Sequence, residues 1–396
     1  MKAVTWRSHR TLEVAEVPAP RIEAPTDVVI RVTATAVCGS DLHLYELLGA
    51  FIEPGDILGH EPMGIVTEVG SAVTRLSVGD RVVIPFPIAC GACAMCLRGL
   101  HTQCETTQNR DHGMGASLFG YTSLYGSVPG GQAEFLRVPL ADTTSIRIDG
   151  SLPDERYLFL SDIIPTAWQA VEYAAVEPGQ TVIVLGLGPV GQLAARIARL
   201  RGARVLAIDP VADRRAMAER HGIDVFDRDR LDAVWEATGS RGADAVIDAV
   251  GTEASGNPFV KAAQVVTARL PTAIAKPVLE ATGVDRLAAV HAAIDLVRRG
   301  GTVSLVGVYV GDADVLPLKT MFDKQLTLRM GQCNVQRWID ELMPIVEDPA
   351  DPLGLDDLIT HRGTLEDAPR LYELFQKKED GCIKVVLYPQ PSEAVA

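Results

Sequence analysis

The segment Thr181-Val182-Ile183-Val184-Leu185-Gly186-Leu187-Gly188-Pro189-Val190-Gly191 joins a continuous apolar run to a G-x-G-x-x-G turn. The run has the character of a strand buried on both faces. A helix-like stretch, Val190 to Leu200, follows the turn, and a second apolar run, Arg204 to Ile208, ends at Asp209. Alone, three spaced glycines say little. With a strand before them, a helix after them and an acid closing the next strand, they read as a dinucleotide-binding turn. Gly186 would permit the tight turn, Gly188 a close approach of pyrophosphate to the backbone, and Gly191 tight packing of helix on strand. Free N–H groups at the helix start, around Pro189 and Val190, would face the phosphates.

Asp209 lies 18 residues beyond Gly191. A carboxylate there would accept hydrogen bonds from the adenosine ribose and repel a 2′-phosphate, which favours NAD over NADP. Arg214, five residues further, could instead receive that phosphate, or stand as a solvated helix residue near the adenine.

Outward from this turn, helix-like Ala212 to His221 and strand-like Ala243 to Ile247, Thr302 to Val306 and Leu326 to Arg329 continue the alternation. Strands alternating with helices imply βαβ units and a parallel sheet, hence an α/β doubly wound domain over 167–331. Thr252 to Val284 fits neither pattern and reads as an insert carrying extra helix. Before it the grammar differs. Val28 to Thr35, Gly64 to Val69 and Asp80 to Pro85 are short β-branched runs bounded by Gly, Pro and Asp, so 1–166 reads as a β-rich domain with few helical periods. Residues 332–396 return to mixed short elements and are expected to complete that first domain.

A chain of 396 residues is long enough for two cores. Its net charge of −14 argues against a nucleic-acid partner, which needs a basic face. The N-terminus shows no charged start followed by a long apolar core, and no apolar stretch is long enough for a membrane span. A cytoplasmic protein without membrane partners is the expectation.

Four of the seven cysteines fall in Cys90-x2-Cys93-x2-Cys96-x7-Cys104. Such a loop can close tetrahedrally on one zinc, leaving no open position, so the ion would be structural. Iron–sulfur ligation is the rival, although a hydride-transferring protein has no need of a cluster. Upstream lie Cys38-Gly39-Ser40-Asp41-Leu42-His43 and Gly59-His60-Glu61. A lone Cys or His is more often core than ligand, but these segments stand in company.

In their order and spacing the motifs resemble the zinc-dependent medium-chain alcohol dehydrogenases over nearly the whole chain. Cys38 to His43, Gly130-Gly131-Gln132-Ala133-Glu134 and Leu160 to Thr166 resemble most the glutathione-independent formaldehyde dehydrogenase-like branch. The resemblance implies a GroES-like catalytic domain beside a Rossmann domain, NAD, and two zinc ions per chain. It implies that Cys38 and His60 hold a catalytic zinc with Asp162 as third ligand, where other members carry a Cys2His set. From its position alone Asp162 could equally cap a helix starting near Pro165. Glu61 would lie near the metal, Asp41 would hold the His60 ring, Ser40 would take the substrate hydroxyl proton and His43 would relay it. The implied partner is a small alcohol or aldehyde hydrate, formaldehyde-like or a primary alcohol, in a homo-oligomer, dimer or tetramer. A polyol or threonine-type secondary alcohol dehydrogenase is the alternative within the class. A zinc- and NAD-binding sensor or scaffold is the alternative outside it.

Overall fold

The computed structural model of the chain describes residues 1–251, 287–309 and 316–390, so the insert expected over Thr252 to Val284 lies outside the described residues. Two compact units divide the chain. One joins Met1–Pro165 to Cys333–Ala396, and the other is Thr166–Gln332.

In chain order the strands of the first stretch are β1 (Lys2–Ser8), β2 (Thr11–Glu16), β3 (Val28–Val37), β4 (Glu61–Val69), β5 (Arg81–Val83), β6 (Phe135–Val138) and β7 (Ile146–Arg147). The second unit holds β8 (Thr181–Leu185), β9 (Arg204–Ile208), β10 (Asp224–Phe226), β11 (Ala243–Asp248), β12 (Val297–Leu305) and β13 (Thr327–Met330). The returning chain adds β14 (His361–Thr364) and β15 (Val385–Tyr388).

In the first unit the sheet runs β14-β15-β3-β4-β5-β7, with β6 also paired to β3. Val28, Ile30 and Val32 of β3 and Val66 of β4 pack with Val82, Ile84, Leu136 and Val138 into one buried cluster. Register is what matters for the site. Antiparallel pairing sets Ala36 opposite Glu61 and Val37 opposite Val385. The end of β3, the start of β4 and the start of β15 therefore meet, and bring Cys38, His60, Glu61 and Lys384 to one end of these three strands. A slip of one residue would turn each of these side chains to the opposite face.

A helix, Gly39–Glu46, follows β3 directly in a region where the sequence shows few helical periods. Asp41 to Tyr45 are all buried, so there is no one-sided apolar stripe to read. Its start is specified by a cap instead: the Cys38 N–H donates to Asp41 Oδ2 at 2.9 Å.

In the second unit the six strands are parallel in the order β10-β9-β8-β11-β12-β13. This is the doubly wound arrangement, with its reversal of strand order beside β8. Ile183, Leu206, Val246, Ile294 and Val303 lie at the centre of its core. Burying side chains of this size contributes about 1.5–3 kcal/mol each. Strand β12 begins at Val297, earlier than its apolar run, because Val297 pairs with Ala243 and Arg298 Nε donates to Asp244 Oδ1 at 2.7 Å.

Candidate metal centres and dinucleotide site

Cys38, His60, Glu61 and Asp162 place one ligand atom each within 4.8 Å of one another, and all four are buried. Asp162 Oδ2 lies 3.4 Å from Cys38 Sγ and 3.4 Å from His60 Nε2. It is carried there by the buried turn Phe159–Ser161, just before the helix Ile163–Tyr173. That helix starts earlier than Pro165, whose missing N–H falls in the first turn, where it has no helical partner to lose.

His60 is oriented from behind. Its Nδ1 lies 3.0 Å from Asp41 Oδ1, while the other oxygen of Asp41 holds the Cys38 N–H. Asp41 thus caps the helix and faces the imidazole at once. Ser40 Oγ lies 3.1 Å from His60 Nε2, the nitrogen on the Cys38 and Asp162 side. His43 is buried on the same helix, rather than at the surface, and its carbonyl accepts the Leu47 and Leu48 N–H groups. The rings of Phe86 and Tyr121 stand edge-on to His60, each with centroids 6.3 Å away.

Glu61 carries a feature that sequence reasoning missed. Lys384 Nζ donates to its carboxylate at 2.6 and 2.8 Å and to the Val37 carbonyl at 3.0 Å, with both charged side chains fully buried. Nothing local marks Lys384, because it reaches Glu61 only through the β3–β15 register. Burial pushes the Glu61 carboxyl up against the opposing pull of Lys384. Burial, with the charges of Asp162 and Glu61, also pushes the Cys38 thiol up to about 11. A thiol and carboxylates crowded in a dry site are stabilised by a cation, and a thiolate, an imidazole and a carboxylate are a donor set that fits zinc.

The second cluster is built by its own backbone. The Cys93 N–H points at Cys90 Sγ (3.4 Å), that of Cys96 at Cys93 Sγ (3.5 Å), and that of Cys90 at Cys104 Sγ (3.3 Å). The Cys96 N–H directed at its sulfur holds the Cys93 thiol below its ordinary value, whereas burial pushes Cys96 up. Four clustered sulfurs, three of them facing N–H donors and none in a disulfide, suit a closed thiolate site. The returning chain fastens this loop. Asn334 Oδ1 accepts from Thr102 N and Oγ1 at 3.1 and 3.0 Å.

In the second unit each glycine of the turn has a separate reason. Gly186 adopts φ +84°, and a Cβ on Gly191 would lie 1.8 Å from the Gly186 carbonyl. A Cβ on Gly188 would meet nothing closer than Arg214 Nη1 at 3.8 Å, so neither conformation nor packing in the chain demands glycine there. The helix Pro189–Leu200 begins directly after it. Space held open before a helix N-terminus fits a phosphate. Asp209 is buried, with Oδ2 accepting the Leu187 N–H and Oδ1 the Val211 N–H, both at 2.7 Å. Arg214 Nη1 stands 3.9 Å from Asp209 Oδ2 and beside Gly188, buried rather than in solvent.

Comparison with known proteins bears on the family and the fold. Residues 24–147 match the alcohol dehydrogenase GroES-like domain, and residues 189–266 match the zinc-binding dehydrogenase family. The chain is 39% identical to an uncharacterised zinc-type alcohol dehydrogenase-like protein, AdhB, of Bacillus subtilis, over 98% of this chain and 100% of that protein. It is 34% identical to a formaldehyde dismutase of Pseudomonas putida over 95% of each chain. Among solved structures, alcohol dehydrogenase TADH from Thermus sp. ATN1 superposes with a TM-score of 0.80 at 34% identity, covering 98% of this chain and 99% of that one. Full-length likeness at this level joins the two-unit fold to a shared ancestry, and the chain belongs to the zinc-dependent medium-chain alcohol dehydrogenase family of oxidoreductases.

Proposed function

We propose that this chain oxidises a small primary alcohol or an aldehyde hydrate, with formaldehyde hydrate the leading substrate, and passes the hydride to NAD. The observation that carries the reading is the convergence of Cys38, His60 and Asp162 with Ser40 beside them. Cys38, His60 and Asp162 would hold one zinc, and the four clustered cysteines a second. Bound at the first site, zinc supplies a Lewis acid for the substrate oxygen, and NAD supplies the hydride acceptor. Ser40 Oγ, 3.1 Å from His60 Nε2, would take the hydroxyl proton, and His43 would pass it on. Lys384 holds both oxygens of Glu61, so Glu61 would stand beside the metal without being required as a ligand.

The choice of NAD rests on Asp209. Its fixed carboxylate would accept ribose hydroxyls and repel a 2′-phosphate in a partly desolvated groove. The test is NAD(P)H formation across a panel of formaldehyde, primary alcohols, polyols and threonine. Wild type should work with NAD on the formaldehyde-like members, and Asp209→Gly should relax the cofactor preference. Faster turnover with NADP in wild type would give control to Arg214. Turnover confined to polyols or threonine would reassign the substrate, and none on any member would favour a sensor or scaffold.

We propose further that the chain assembles with copies of itself. Strand β13 lies at the edge of the described sheet and carries Met330 (59% exposed), and the preceding helix Leu318–Asp323 carries Leu318 (67%) and Phe322 (87%). An unpaired edge with exposed apolar side chains calls for cover. Phe322→Asp combined with Met330→Lys should shift sedimentation towards the monomer. An unchanged sedimentation coefficient would remove this patch from the assembly.

A further inference from the structure

Gly130-Gly131-Gln132 takes no part in the chemistry above, yet it grips the segment that presents His60. The Gly130, Gly131 and Gln132 N–H groups donate to the Ile57, Gly59 and Leu58 carbonyls at 2.9, 2.8 and 2.9 Å. A Cβ on Gly130 would lie 2.2 Å from the Leu58 carbonyl oxygen, and one on Gly59 would lie 2.4 Å from Gln132 Cγ. Gly59 itself sits at φ +95°. The chain just before His60 is thus pressed against Gln132 with no room for a side chain between them.

The Gln132 side chain is fully buried. Its Nε2 lies 3.5 Å from Asp41 Oδ2 and 3.5 Å from the Ala36 carbonyl, while its Oε1 accepts the Tyr372 hydroxyl at 2.8 Å. Asp41 and Ala36 offer only acceptors, so only the NH2 end of the amide can face them. Tyr372 lies on the helix Ala368–Lys377 and is itself fully buried, its ring packed on Tyr45 with centroids 5.8 Å apart. Its hydroxyl holds the amide in that one orientation.

We propose that Gln132 and Tyr372 are positioning residues for the catalytic metal, acting through Asp41 and the Gly59 backbone on the ligand His60. The proposal rests on the reading of Cys38, His60 and Asp162 as a zinc site. Two of the contacts on Nε2 are long, and the backbone grip on Gly59 is the second, independent route to the same ligand. Partners outside the ligand set commonly change metal affinity by about 10–100-fold when removed.

The test measures zinc binding directly, by competition of the full chain with a chromophoric chelator, with the four-cysteine site as internal reference. Gln132→Leu should weaken one of the two zinc ions by about 10–100-fold and leave the other unchanged. Tyr372→Phe, which deletes one hydroxyl and serves if the first variant folds poorly, should weaken the same ion by less. Cobalt substituted at that site should show an altered absorption band in both variants. Wild-type zinc affinity at both sites in both variants, with only thermal stability lowered, would overturn the relay alone. A wild type that binds a single zinc would overturn the relay together with the zinc reading beneath it.

Discussion

Asp162→Ala is expected to strip the catalytic zinc and abolish measurable turnover, while the four-cysteine site keeps its ion. The carboxylate oxygen lies 3.4 Å from both Cys38 Sγ and His60 Nε2, and its loss leaves Cys38 and His60 with only Glu61, whose two oxygens Lys384 already holds. If Asp162 served only to start the helix Ile163–Tyr173, the variant would lose about 0.5–2 kcal/mol of stability and keep metal and activity. Elemental analysis and a turnover assay on the same preparation separate these outcomes. Cys93→Ser should show the converse, losing the other ion. Because Asn334 ties the cysteine loop to the returning chain, that loss should also appear as impaired folding or assembly. Full zinc occupancy and unchanged stability in Cys93→Ser would count against a closed thiolate site.

Ser40→Ala carries the second large effect, and it falls on the chemistry rather than on binding. Both zinc ions and NAD affinity should persist, while kcat falls on the order of 10²–10⁴-fold, as for loss of one general acid–base step. The hydroxyl stands 3.1 Å from His60 Nε2, beside the residues that would hold the metal, so its loss should fall on proton transfer. His43→Gln should cost less, since water can substitute further along the path. Its burial does make the imidazole a packing element, so that variant is to be read against its thermal stability. Steady-state kinetics on the best substrate decide the matter. Equal kcat in Ser40→Ala and wild type would remove Ser40 from proton transfer.

Much of this was legible in contiguous residues. The turn from Gly186 to Gly191 declares itself because positive φ at Gly186 and the Gly191–Gly186 contact are local demands that only glycine meets. The spacing from Cys90 to Cys104 announces a loop that folds around its own sulfurs by N–H donation from neighbouring residues. The alternation of strand and helix after Thr181 prescribes a parallel sheet, and the family resemblance drew Cys38, His60 and Asp162 together before any geometry was available. The helix Gly39–Glu46 was not legible, because burial on all sides erases the periodicity by which helices are read.

The architecture and the residue types of the three candidate sites were thus readable along the chain. How the candidate metal ligands are held came only with the fold. Lys384 reaches Glu61 across 323 positions, and Tyr372 reaches Gln132 across 240. Neither is distinguished from an ordinary lysine or core tyrosine until β15 pairs with β3 and the helix Ala368–Lys377 packs behind Asp41. The physical reason is one of range. Turn, cap and chelating-loop chemistry is satisfied within a few residues of chain, so composition and spacing record it. The partner of a buried charge or amide is set by strand register and helix packing, which depend on the fit of the whole core.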